Sequence, residues 1–179
     1  MPEASGGACG GSPHQLFRHH CLAEISDCKS CDVQMLPSGV RAGFFIGDGA
    51  GVGKGRQISG IVCDNYCRGR TKHVWVSTST DLHADAVRDL RDLGMQLPVI
   101  NNCAALDAAT KAGGLSKDFQ DGVLFLTYST LVSAGRGGTT RFEQVMKWLG
   151  GPEFDGCIIF DECHRCAAHV PSTQLCCVV

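Results

Sequence analysis

The amino-acid sequence predicts an α/β fold: a parallel sheet with helices on both faces. Two observations carry this. Five short apolar runs, "AGFFIGD", "HVWVST", "LPVI", "GVLFLTY" and "CIIFDE", alternate with stretches whose apolar residues recur at helical spacing. The runs are also largely continuous, as suits strands buried on both sides. Strands that alternate with helices imply parallel crossovers.

The elements follow in order. Residues 1–35 show no sustained periodicity and are expected to be a poorly ordered segment with a short helix near 14–25. "LPSG" is a turn signal. "AGFFIGD", bounded by glycine, is a buried strand candidate. In "GKGRQISGIVCDNYCRG", Ile58, Ile61, Val62 and Tyr66 share a helical face. Gly69 can end that helix, and Arg68 and Arg70 can complement its negative end. "HVWVST" is a second strand. In "DLHADAVRDLRDLG", Asp81 is a plausible N-cap, Leu82, Ala86, Leu90 and Leu93 line one face, and Gly94 ends the helix. "LPVI" and "GVLFLTY" are further strands. "TTRFEQVMKWL" reads as a helix with Phe142, Val145, Met146 and Leu149 inward. "CIIFDE" closes the series.

Composition excludes several classes. The 179 residues suffice for one domain with a real core. A net charge of −2 gives no polyanion-binding signal, so any nucleic acid must meet a local patch or another domain. Residues 1–13 carry no apolar signal segment, and no apolar run spans a bilayer, so a soluble intracellular protein without membrane partners is expected. Twelve cysteines without an export signal are expected to be mostly free thiols. Two CxxC pairs, Cys28/Cys31 and Cys163/Cys166, could meet His19, His20, His164 or His169 in a zinc site, but the pairs lie far apart in the chain.

Chemistry concentrates in two places. In "GDGAGVGKG", Gly49, Gly51 and Gly53 permit backbone angles that other residues resist, so amide groups can converge on phosphate oxygens. The start of the following helix adds its positive end. Lys54 would reach the β- and γ-phosphates, flanked by Gly55 and Arg56. The usual pattern is G-x-x-x-x-G-K-[ST]. Here Asp48 stands at the first position and Gly55 at the last, where a hydroxyl normally ligates Mg2+. A flexible turn with an incidental lysine is the bland alternative.

In "CIIFDECH" an apolar strand delivers Asp161 and Glu162 to its carboxyl end. Asp161 would hold Mg2+ through its water shell, and Glu162 would polarise an attacking water. The bland alternative is an acidic pair at a helix start. With Gly55 in place of the hydroxyl, the metal would rely on Asp161, phosphate oxygens and water, giving a looser but functional ATP and Mg2+ site. Ligands of such sheets bind at the carboxyl ends of strands, where both motifs fall.

Beyond these residues, "LPSGVRAGFFIGDGAGVGKGRQISGIV" resembles the strawberry notch family, whose phosphate loop also carries GVGKGR. "VWVSTSTDLHADAVRDLRDLG", "GVLFLTYSTLVSAGR" and "FDGCIIFDECHRC" resemble its motif Ia, motif Ib and DExH-type segments. The resemblance covers roughly residues 36–171. It implies a RecA-like P-loop NTPase lobe of superfamily-two helicase type, with a nuclear role in transcription and with nucleic acid and transcriptional or chromatin proteins as partners. By resemblance, His164 would couple ATP state to nucleic acid, and Ser77–Thr80 and Thr127–Ser129 would face its backbone. Those hydroxyls can equally cap a helix and a turn.

The resemblance implies a partial lobe over 36–171, followed by a tail at 172–179. The family's Ser-Ala-Thr segment and its second lobe with arginine fingers have no counterpart here. A fragment that hydrolyses ATP weakly or not at all is therefore expected, since such a finger contributes roughly 10³–10⁵ in rate. The alternative is a non-catalytic nucleotide-binding regulatory or scaffold module.

Overall fold

A computed structural model describes residues 37, 39, 43–48, 51–101, 103, 119–134, 139–151, 154–163 and 177–178. In chain order the elements are α1 (Lys54–Cys67), β1 (Lys72–Ser77), α2 (Leu82–Asp92), β2 (Val99–Asn101), β3 (Gly122–Thr127), α3 (Tyr128–Leu131), α4 (Arg141–Leu149), β4 (Cys157–Phe160) and β5 (Cys177–Val178). The strands form one sheet in the order β2-β3-β1-β4-β5. Every pairing is parallel.

Period-two alternation splits the sheet's side chains between two cores. Trp75, Val123, Phe125, Cys157 and Ile159 face α1 and α2, meeting Ile58, Val62, Ala86 and Leu90. Val74, Val76, Leu124, Leu126 and Phe160 face the other way, meeting Leu131, Val145, Trp148 and Leu149. β3 is buried along its whole length, which explains its unbroken apolar run. Pairing of Val76 with Phe160 brings the carboxyl ends of β1 and β4 level.

Several sequence expectations hold. Ile58, Ile61 and Val62 are buried, Tyr66 packs beside them, and Gly69 follows α1 at φ 87°. Ala86 and Leu90 are buried in α2 with Leu82 and Leu93 against the core, and Gly94 ends the helix at φ 79°. Thr140 and Glu143 form a capping box at α4.

Others are corrected. Among the described residues, 43–48 make an isolated bridge at Phe45 and no strand of the sheet: Phe44 and Ile46 pack onto the core while Phe45 is 63% exposed. Apolar content makes a strand only where a neighbour supplies ladder hydrogen bonds. Phe142 is exposed, and Trp148 takes the inward place between Val145 and Leu149. At 100° per residue Phe142 sits toward the edge of that face. Asp81 makes no side-chain cap; its own N–H donates to the Ser79 hydroxyl at 3.2 Å. Arg68 and Arg70 pair with Asp64 and Asp155, respectively. Cys177 and Val178, expected in a tail, pair with Ile159 and Phe160. The expected helix near 14–25, the Cys28/Cys31 pair and Cys166 lie outside the described residues. Among the described residues no cluster of three metal-ligating side chains occurs, and no helix is long and apolar enough to cross a membrane.

His73, at the start of β1, is fully buried. Its Nδ1 accepts from the Cys157 N–H at 3.2 Å, which places the proton of the neutral ring on Nε2. That Nε2 is buried without a partner. Burial pushes the pKa down to about 4; the Arg70 backbone works against this and the Arg70 charge adds to it by a smaller amount. The folded value lies below the unfolded one, so the unfolded chain binds the extra proton first. This contribution to stability is complete above the unfolded pKa and is lost as pH falls from about 6.5 toward 4. Denaturant titrations should show roughly 2–3 kcal/mol less stability from this group at pH 4.5 than at pH 7.5. His73→Asn, which keeps an acceptor, should remove that part of the slope.

Candidate functional site

The loop before α1 bends through left-handed glycines: Gly51 at φ 84° and Gly53 at φ 89°. Residues with a Cβ resist this conformation. Gly53 is the N-cap of α1, and its carbonyl accepts the N–H groups of Arg56 and Gln57 at 3.0 and 3.2 Å. No side chain caps α1, and its first turn holds no acid. The first turn thus carries no carboxylate of its own, and those near it, Asp48, Asp89 and Asp92, come from the loop and α2. Lys54, at the first helical position, donates from Nζ to the Asp48 carbonyl at 3.1 Å. Gln57 Nε2 donates to the Asp48 carboxylate at 3.0 Å. The loop is thus tied to its entry by two bonds to Asp48. Gly49 lies outside the described residues.

Gly55 has a packing reason that the sequence does not show. A Cβ built there would collide with the Asp89 carboxylate of α2. The position of the missing hydroxyl is one where the Asp89 side chain of α2 reaches α1. One residue on, Arg56 Nη2 meets Asp92 Oδ2 at 2.7 Å, so this guanidinium points at α2. Both partners are well exposed, and such surface pairs contribute about 0–1 kcal/mol, little enough for Arg56 to exchange partners.

Asp161 follows β4 directly. Its N–H donates to the Val76 carbonyl at 2.8 Å, and its Oδ2 accepts from the Ser77 hydroxyl at 2.8 Å. Its carbonyl accepts from the Tyr128 hydroxyl at 2.7 Å. Alternation places Ser77 and Asp161 on the sheet face that carries α1. Glu162 is exposed and is the one non-glycine residue at positive φ, 55°, among the described residues. His164 lies outside them.

The bonds to Asp161 come from β1 and α3, whereas those given for Lys54 Nζ and the Asp48 carboxylate stay within the loop and α1. Asp161 and Ser77 meet because β1 and β4 are in parallel register. Thr127 caps α3, accepting the Thr130 N–H at 3.2 Å, so its hydroxyl serves a local turn. Sequence reasoning gave the Thr127–Ser129 segment to nucleic acid without foreseeing the Tyr128 bond to Asp161, and it missed Asp89. A tyrosine just past an apolar strand is a weak signal, and the Gly55–Asp89 approach depends on helix packing.

The residues present suit a phosphate-bearing nucleotide: two left-handed glycines, an uncapped helix start and a lysine at its first position. For a divalent cation the donor set is leaner, with Asp161 and no hydroxyl at Gly55. The parallel sheet covered on both faces and the glycine loop opening a helix define a RecA-like P-loop NTPase fold. The family described as P-loop containing NTP hydrolase pore-1 matches residues 21–176, and the chain belongs to it.

Its relatives include strawberry notch proteins. Mouse protein strawberry notch homolog 2 is 48% identical over 151 residues, 83% of this chain and 10% of that protein. Drosophila melanogaster protein strawberry notch is 43% identical over 148 residues, 80% of this chain and 9% of its own. Arabidopsis thaliana protein FORGETTER 1 is 45% identical over 139 residues, 78% of this chain and 11% of its own. The chain thus spans about a tenth of the length of these relatives. No solved structure matches it.

Restoring the hydroxyl should not be benign. Gly55→Ser drives Cβ into the Asp89 carboxylate, which has to swing aside, and the loss lies at the low end of the about 1–3 kcal/mol of overpacking because the obstacle is a side-chain end and not backbone. Thermal unfolding should show that loss. Adding Asp89→Ala to Gly55→Ser should return most of it.

Proposed function

We propose that this chain is the ATP-binding lobe of a strawberry notch-like, helicase-family ATPase. The single observation that supports it most is the loop from Gly51 to Lys54, which opens onto an α1 N-terminus with neither capping side chain nor first-turn acid. The backbone amides around Gly51, Gly53 and Gly55, with Gly49 completing the loop, bind the phosphates. Lys54 leaves the Asp48 carbonyl for the β- and γ-phosphates, and Arg56 adds charge. Mg2+, when bound, offsets phosphate charge and orients the phosphoryl group. Asp161 holds the metal's water shell on the face that carries α1. Glu162 orients and polarises the attacking water. His164 couples the site to nucleic acid.

As a small part of its longer relatives, the lobe serves a protein that regulates transcription in the nucleus with nucleic acid and chromatin partners. That part of the reading rests on the family. Residues 1–179 tested on their own are expected to cleave ATP slowly, since none of their arginines is assigned to the γ-phosphate and such a residue contributes roughly 10³–10⁵ in rate.

Titration with Mg·ATP tests this directly. Lys54→Ala should weaken binding at least tenfold, the scale of one charge-assisted contact. Variant binding equal to the parent's rules out the phosphate cradle. Glu162→Gln should keep ATP affinity and lengthen the life of bound, uncleaved ATP. If it leaves nucleotide lifetime unchanged, the chain is a non-catalytic module.

A further inference from the structure

Three hydrogen bonds hold Asp161 from three directions, and Glu162 beyond it adopts a conformation that side-chain-bearing residues avoid. The Asp161 N–H donates to the Val76 carbonyl, the Ser77 hydroxyl donates to one carboxylate oxygen, and the Tyr128 hydroxyl donates to the carbonyl. The last bond fixes the peptide plane between Asp161 and Glu162. With that plane fixed on one side, Glu162 sits at φ 55°. A non-glycine residue there costs on the order of 1–3 kcal/mol and persists only where the surroundings over-determine it.

The surroundings here do so. Ser77 is fully buried at the end of β1, next in register after the Val76–Phe160 pair. Among the described residues its hydroxyl is the one side-chain donor to the Asp161 carboxylate, which leaves Oδ1 for a further donor. The Tyr128 ring stacks on Phe160, with centroids 6.4 Å apart and planes 15° apart. The ring is thereby fixed, and its hydroxyl aims at the turn. Its backbone starts α3, whose N-cap Thr127 ends β3. The strut therefore runs from β3, through Tyr128, to the acidic turn after β4.

We propose that Ser77 and Tyr128 are positioning residues for the acidic pair: Ser77 sets the rotamer of the Asp161 carboxylate, and Tyr128 sets the left-handed aim of Glu162. This rests on the nucleotide-site reading above. Ser77 acts on metal binding and Tyr128 on the cleavage step, so the two separate in a kinetic experiment. Neither touches nucleotide.

The test uses the full chain with ATP, in the presence and absence of Mg2+. Ser77→Ala should raise the half-saturating Mg2+ concentration about tenfold, the scale of one hydrogen bond to a charged group, and leave metal-free ATP affinity within about twofold. Tyr128→Phe keeps the ring stack and removes only the hydroxyl. It should leave the Mg·ATP dissociation constant within about twofold and slow single-turnover cleavage about tenfold. The Mg2+ arm needs no turnover, so it decides alone if the parent does not cleave. Variants matching the parent in both responses, or losing metal-free affinity, overturn the positioning role while the nucleotide site stands. A parent that binds no ATP refutes the site itself and the positioning role with it.

Discussion

Parallel pairing of β1 with both β3 and β4 is the constraint on which the rest depends. It fixes which residues share a face and brings the carboxyl ends of the strands level. A sheet buried on both sides needs helices on both sides, and the two cores divide between α1–α2 and α3–α4 as alternation requires. Where β1 and β4 run out of apolar residues together, Ser77 and Asp161 lie side by side. A one-residue slip would turn Asp161 to the opposite face, away from α1. Chemistry at the edge is thus a consequence of packing in the middle.

The phosphate loop obeys a different constraint. The chain enters α1 through two residues in the left-handed region. Left-handed glycines at 51 and 53 allow that at no steric cost. Gly55 answers to neighbours instead, since α2 brings Asp89 over it. One glycine-rich string therefore contains residues selected for two physical reasons. A glycine at this position suits a helix pair that sets the Asp89 carboxylate against it.

Much of this was legible in sequence. Continuous apolar runs gave β1, β3 and β4, helical spacing gave the inward faces of α1 and α2, and glycine clustering gave the loop. The strand that carries Asp161 and Glu162 to its carboxyl end was readable too. What could not be read depends on contacts between distant segments. The first apolar run, 43–48, looks like a strand because composition is local, while ladder pairing is not. Trp148 rather than Phe142 faces inward because the facing core decides a helix's rotation. Ser77 and Tyr128 hold Asp161 across 84 and 33 residues of chain, separations that local periodicity does not address.

Amide hydrogen exchange with and without Mg·ADP tests most directly whether the carboxyl edge of this sheet is the nucleotide site. Protection should appear in peptides covering 51–57 and 160–163 and leave α4 unchanged. Equal exchange in both states, or protection confined to α4 and β2, would contradict it.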